Sequence, residues 1–411
     1  MINRKLYKYI LESIHNFKII CLLGPRQCGK TTLTKMIMQK LPESVYLDLE
    51  QEETVREILS DPVLFFKMNS NKLICLDEIH HLPEIFKVLR SIVDENPKKG
   101  QFLILGSASY DLLKQSSETL AGRIAFFPLT PFTFTEIYKK ESLFNYWLRG
   151  GFPDSLLAVK DEISYKWRTD FIYTFLNRDI KQLKQNISPN TLDKLWTLCA
   201  HYHGTMLNFS KLAQQLGIDK RTVIRYFEVL ESTYMIRRLK PFSTNTKSKI
   251  VKTPKLYIRD TGILHTLLNI SSGYSLITNS KVGESWEGMI IENLIEEFPN
   301  FEASFYRTSN NAEIDLILQD ASIKIAVECK NSSKPDVTRG FWNSIDAIHP
   351  DLTYIAAPVE LPYPFHGNKK IIVGSLKHII DDIKSQLNLR KIELNLNKNE
   401  EHDIISLLKK Q

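Results

Sequence analysis

Gly24-Pro-Arg-Gln-Cys-Gly-Lys-Thr31 fits the pattern G-x-x-x-x-G-K-[ST], and its flanks narrow the fold more than any other feature of the chain. The apolar run Ile19-Ile-Cys-Leu-Leu23 ahead of it reads as a buried strand. Thr32 to Lys40 behind it reads as a helix that stops near Pro42. A glycine turn between strand and helix gathers backbone N–H groups and a helix N-terminus at one point, which suits a polyphosphate. The expected cradle is Gly24, Pro25, Arg26, Gln27, Cys28, Gly29, Lys30, Thr31 and Thr32. Lys30 would reach the β/γ oxygens, and the Thr31 hydroxyl would ligate Mg2+.

Such a loop needs a metal-holding acid on a neighbouring strand. Lys72-Leu-Ile-Cys-Leu-Asp77-Glu78 supplies it, with Asp77 emerging at the carboxyl end of four apolar residues. Asp77 is expected to hold Mg2+, directly or through water, and Glu78 to polarise a water attacking the γ-phosphate. Hydrolysis is therefore expected rather than binding alone. Gln101-Phe-Leu-Ile-Leu-Gly106 reads as a third strand, with Ser107 at its tip as a candidate partner of the γ-phosphate or the lytic water. Arg123, before the strand Ile124-Ala-Phe-Phe, is a candidate arginine finger acting in its own or a neighbouring subunit. It reads equally as a surface arginine.

At 411 residues the chain exceeds one core and suits two to four domains. No apolar run approaches the roughly 18 residues that cross a bilayer, so no membrane partner is expected. The N-terminus lacks the continuous apolar segment of a secretory signal. Five scattered cysteines without a C-x-x-C pair point to reduced thiols in a cytoplasm and to no zinc site.

Charge is uneven. Leu156 to Lys255 holds 18 Lys/Arg against 8 Asp/Glu, an excess of +10 in a chain of net charge +7. A basic block beside a nucleotide site suggests a polyanion such as DNA, with a solvated face as the plain alternative. Within it, Asn208 to Glu231 has the rhythm of a helix-turn-helix. Gly217 is placed at the turn and Asp219 at the next cap, and the strand-like Tyr234-Met-Ile-Arg-Arg-Leu behind them completes a winged-helix outline. Lys220, Arg221 and Arg225 would lie on the outer face of the second helix, and Lys247 and Lys249 in the next loop, as DNA contacts.

A second acidic group lies further on. Glu313-Ile-Asp315 and Ala326-Val-Glu328-Cys-Lys330 read as two strands joined by a short turn. A hairpin would bring Asp315 and Glu328 together around a hard cation, with Lys330 beside them and Glu287 of a preceding helix as a fourth contact.

Taken in order, GPRQCGKTTL, LDEIHHLP, ILGSASYDLL, LAGRIAFFPLTPFTFTE, YWLRGGFPDSL, FLNRDI, PKLYIRDTGIL, GESWEGMIIENLI, YRTSNNAEIDLIL and IAVECK resemble the AAA+ ATPase superfamily. More narrowly, they resemble prokaryotic AAA ATPases that carry a C-terminal domain of unknown function. Asp315, Glu328 and Lys330 are similar to the signature of the PD-(D/E)xK nucleases, with Ile314 in place of its proline. The resemblance implies an α/β fold: an AAA+ P-loop domain with a parallel sheet between helices (1–140), a helical lid or linker (141–202), a winged-helix-like domain (203–255), a PD-(D/E)xK nuclease-like α/β domain (256–390) and a tail (391–411). It implies ATP and Mg2+ as ligands and ATP hydrolysis coupled to a DNA-contacting or nuclease-like C-terminal region; assembly stays open, a homo-oligomeric ring or dimer being what Arg123 would require if it acts between subunits. The alternatives are a nucleotide-dependent DNA-binding switch with little turnover and an ATP-controlled, metal-dependent DNA nuclease.

Overall fold

Every residue of β1 (Ile19–Gly24) is buried, because the strand lies inside a sheet covered on both faces. With β2 (Ser44–Asp48), β3 (Leu73–Asp77), β4 (Phe102–Ser107) and β5 (Ile124–Pro128) it forms a parallel sheet in the order β2-β3-β4-β1-β5. The alternation of strand side chains sorts the core into two layers. Ile20 and Leu22 join Cys75, Leu103 and Leu105 beneath α1 (Leu6–Ile14) and α2 (Lys30–Met38), which contribute Ile10, Ile14, Leu33 and Ile37. On the opposite face, Ile19, Cys21 and Leu23 join Ile74, Leu76 and Ile104. Ile58 of α3 (Glu52–Ser60), Phe66 of α4 (Pro62–Met68) and α5 (Ile85–Glu95) cover this side. In α5 the buried residues Ile85, Phe86, Leu89, Ile92 and Val93 fall on one helical stripe.

The computed structural model describes residues 2–107, 119–180, 187–242, 251–310 and 312–390. The chain divides into two units: Met1–Arg238 with Pro254–Gly288, and Leu239–Thr253 with Met289–Gln411.

After β5 the first unit is mainly helical. Asp161–Thr174, Pro189–His201, Phe209–Leu216, Lys220–Ser232 and Thr261–Leu267 pack around Phe175, Trp196, Phe227 and Leu230, and Leu143–Arg149 lies against Asp161–Thr174 and Thr261–Leu267. The helix Phe209–Leu216 ends on Gly217 in the left-handed region, and Asp219 caps Lys220–Ser232 by accepting from Thr222 N at 3.0 Å. Strands β6 (Thr205–Met206), β7 (Ile236–Pro241) and β8 (Lys255–Ile258) follow, with β6 antiparallel to β8.

One buried cation organises this helical part. The Arg168 guanidinium donates to Thr266 Oγ1 (2.8 Å), Ser164 Oγ (2.7 Å) and Ser155 Oγ (3.1 Å), and burial pulls its pKa down to about 10. Asp260 accepts from Gly151 N at 2.7 Å and from Ile263 N at 2.9 Å, which caps Thr261–Leu267. The fit leaves no room at Gly262, where a Cβ would stand 2.2 Å from the Arg149 carbonyl oxygen. The segments Arg149-Gly-Gly and Asp260-Thr-Gly are thus packing devices.

In the second unit, β7 continues into a mixed sheet with β9 (Glu302–Arg307), β10 (Glu313–Gln319), β11 (Lys324–Cys329), β12 (Leu352–Ala356), β13 (Tyr363–Phe365) and β14 (Asn368–Gly374), ordered β13-β14-β12-β11-β10-β9-β7. Strands β9, β10 and β11 are antiparallel neighbours, whereas β11, β12 and β14 run parallel. The helix Arg339–Ile348 sets Phe341 and Ile348 against Ile317, Ile355 and Val373.

Two buried histidines give the first unit a pH signature. His203 Nδ1 accepts from Ile258 N at 2.9 Å, and His265 Nδ1 donates to the Leu148 carbonyl at 3.0 Å. Burial pushes both pKa values from 6.5 down to about 3. Between pH 6.5 and about 3 the unfolded chain takes up protons that the folded one refuses, so stability falls as pH falls, on the order of 1.4 kcal/mol per pH unit for each histidine. The thermal midpoint should drop across that window, and His265→Gln should flatten part of the slope; a midpoint independent of pH there would contradict it.

Candidate nucleotide-binding site

Left-handed backbone makes the loop after β1. Gln27 has φ 60° and Gly29 φ 99°, after which α2 begins at Lys30. Gly24 can be nothing else, since a Cβ there would meet the Leu129 carbonyl oxygen at 2.1 Å. Cys28 is fully buried with Sγ 3.4 Å from that same oxygen, and burial raises its thiol pKa. This cysteine packs the loop and is not a reactive thiol. Lys30 is 6% exposed and folds back over the loop, donating to the Gly24 and Pro25 carbonyls at 3.0 and 2.9 Å.

Across the sheet, with β4 between, β3 delivers Asp77 to the same point. Thr31 Oγ1 donates to Asp77 Oδ2 at 2.9 Å, Tyr46 Oη donates to that same oxygen, and Glu78 N donates to Oδ1 at 2.9 Å. Burial, reinforced by the hydrogen bond to Asp77, keeps the Tyr46 phenol protonated well above its usual range. Glu78 sits at φ 52° with its carboxylate 3.3 Å from His80 Nδ1. Burial opposes its charge, yet His80, Lys30 and Arg26 outweigh burial and hold its pKa at about 2. A hydroxyl and a carboxylate 2.9 Å apart, beside a lysine at a helix N-terminus, are the hard oxygen donors that Mg2+ takes together with a polyphosphate.

The loop opens on a cleft of about 700 Å3, large enough for a nucleotide. Its polar rim includes Arg26, Glu50, Arg178 and Asp179, and its apolar wall includes Phe132 and Phe175. Arg26 pairs with Asp179 and lies 3.5 Å from Glu50, which Arg178 also approaches at 3.5 Å. Asp179 ends a π-helical turn (Phe175–Asp179), and burial raises its pKa although Arg26 opposes the shift. From the N-terminus, Arg4 donates to the Cys28 carbonyl at 2.9 Å and the Thr130 carbonyl at 2.6 Å, and pairs with Glu136 at 3.1 Å.

The sequence reading of this site did not name Arg4, Tyr46, Arg178 or Asp179. Only FLNRDI carried a trace of the last two; nothing local marked Arg4 or Tyr46. Other expected residues lie as follows. Ser107 ends β4 in register with Gly24; its side chain, like residues 108–118, falls outside the described residues. Arg123 forms a two-pronged pair with Asp94 (2.5 and 3.0 Å) and does not line the cleft. Lys220, Arg221 and Arg225 are exposed on their helix, whereas Lys247 and Lys249 fall outside the described residues.

In the second unit, Leu316 pairs with Val327, which brings Asp315 and Glu328 to the next rung. Both are buried; Asp315 Oδ2 accepts from Cys329 N at 2.9 Å, and Lys330 Nζ lies 2.8 Å from Glu328. Burial works against the Lys330 charge, but Glu328 and Asp315 raise its pKa above the usual value. Glu287 belongs to the first unit, where Lys255 (3.0 Å) and Tyr257 hold its carboxylate. Among the described residues, no group of three or more His, Cys, Asp or Glu is arranged to hold a metal, and no helix is long and apolar enough to cross a membrane.

A family model described as an AAA domain matches residues 16–138. Two models described as domains of unknown function (DUF8612 and DUF4143) match 140–274 and 282–377. The uncharacterized proteins Mb2031c of Mycobacterium bovis and Rv2008c of Mycobacterium tuberculosis are each 36% identical over 353 residues, covering 86% of this chain and 79% of theirs. A solved structure of Drosophila ORC bound to DNA aligns over 64% of this chain and 84% of its own, at 11% identity and a TM-score of 0.25. The chain belongs to the same family as the two mycobacterial proteins, and its N-terminal region is a P-loop ATPase domain of the AAA+ type.

Proposed function

We propose that the protein binds ATP with Mg2+ in the cleft above α2 and hydrolyses it. The observation that carries this reading is the meeting of Lys30, Thr31, Asp77 and Glu78 at one point from two separate strand ends. The loop amides and Lys30 would bind the β- and γ-phosphates, and Thr31 and Asp77 would hold the metal, which neutralises charge developing on the phosphates. Glu78, ionised across the physiological range, would orient the attacking water and accept its proton. Glu78→Gln should leave ATP affinity intact and lower turnover by roughly 10²–10⁴-fold. Unchanged turnover would remove Glu78 from the mechanism.

The exposed cations of the helix Lys220–Ser232 support DNA as the partner of this ATPase. Replacing Lys220, Arg221 and Arg225 together by Ala should weaken DNA binding and lower its logarithmic salt slope by about 2–3. Binding and slope identical to wild type would leave the helix as a packing element. Arg123, held by Asp94 on its own chain, would act as a finger only in an assembly of several copies.

A second reading is favoured by the shared rung of Asp315 and Glu328 with Lys330 beside them: a metal-dependent nuclease of the PD-(D/E)xK type under ATP control. It expects cleavage of linear DNA with Mn2+ or Mg2+ that Glu328→Gln abolishes. DNA left intact with either metal, with or without ATP, rejects it.

A further inference from the structure

The Asp77 carboxylate is held at both ends. Oδ1 takes the Glu78 amide, and Oδ2 takes two hydroxyls, from Thr31 and from Tyr46. The loop pattern accounts for the first hydroxyl; nothing in the nucleotide chemistry accounts for the second. Strand register explains how it arrives. Tyr46 pairs with Cys75 and Asp48 with Asp77, so Tyr46 lies one strand over and two residues back from Asp77, about 6.6 Å along the strand direction. A tyrosine spans that distance with its hydroxyl, and the ring rests against the core layer of Leu33 and Ile37 under α2. Lys35 Nζ stands 5.9 Å from the ring centre on the same side.

We infer that Tyr46 is a positioning residue for the magnesium-holding aspartate, fixing the Asp77 rotamer so that its remaining lone pairs face the ion beside Thr31. The inference rests on the nucleotide-site reading. Mg2+ demands near-ideal octahedral geometry and tolerates a misdirected ligand poorly. Hydrogen bonds from outside the ligand shell set that direction, and their loss commonly weakens metal binding 10–100-fold. A competing effect has the opposite sign. A phenol donating to Oδ2 withdraws electron density, so removing it would make Asp77 a stronger base and a tighter ligand. Orientation dominates, because the carboxylate's other donors are a backbone amide on Oδ1 and the Thr31 hydroxyl, which the metal itself recruits.

Tyr46→Phe keeps the ring and its packing and removes only the hydroxyl. With the full chain and a fluorescent, slowly hydrolysed ATP analogue, Mg2+ is titrated against an EDTA baseline, and turnover is measured at each Mg2+ concentration. The Mg2+ needed for half-maximal response should rise about tenfold or more. Analogue affinity in EDTA and the thermal midpoint should stay as in wild type, and excess Mg2+ should restore turnover. An unchanged or lowered Mg2+ requirement overturns the inference, as does an equal loss of affinity in EDTA, which marks a packing role only. If wild-type protein binds no analogue at any Mg2+ concentration, the nucleotide-site reading itself fails, and the inference with it.

Discussion

The hydrogen bond between Thr31 and Asp77 joins two pieces of chain 46 residues apart in sequence. Thr31 opens α2 after β1, and Asp77 closes β3, with β4 lying between the two strands. Parallel strands end at one edge of a sheet, so the carboxyl-end edge collects the glycine loop, the acid and the residue after it. The buried apolar runs of β1 and β3 hold that edge rigid, because shifting either strand by one residue would turn its core side chains to the wrong layer. Lys30, Asp77 and Glu78 are affordable as partly buried charges only because each finds partners there.

Around that point the first unit adds groups from far along the chain. Arg4 reaches the loop from the N-terminus, and Asp179 and Arg178 reach its rim from the π-turn after Asp161–Thr174. A π-turn widens a helix by one residue and often marks a functional position. Here it sets Asp179 against Arg26 inside the phosphate loop. The helix that leads into the turn is itself tied down, through Arg168, to the helix that Asp260 caps.

What the sequence disclosed depended on how local each signal was. Gly24 to Thr31 is one contiguous turn, and Asp77 ends an unmistakable apolar strand; both could be read directly. The Asp315–Glu328 rung could be foreseen because a short turn joins two alternating strands. Tyr46 could not, since it touches Asp77 from 31 residues away, nor could Asp179, which meets Arg26 across 153 residues. The contacts of Glu287 were equally hidden: Lys255 and Tyr257 of β8 reach its carboxylate from 32 and 30 residues away. Nor could the role of Gly150 and Gly151 be foreseen, where a Cβ would meet the Asp260 carboxylate at 2.2 Å and the Phe132 carbonyl oxygen at 2.3 Å.

The central claim is that Lys30 and its loop bind the phosphates of a nucleotide. Calorimetric titration of ATP with Mg2+ into wild-type protein and Lys30→Ala addresses it most directly. The account predicts saturable one-to-one binding by wild type that is lost, or weakened at least a hundredfold (about 2.7 kcal/mol), in the variant. Equal affinity in the two proteins, each shown to be folded, would contradict it.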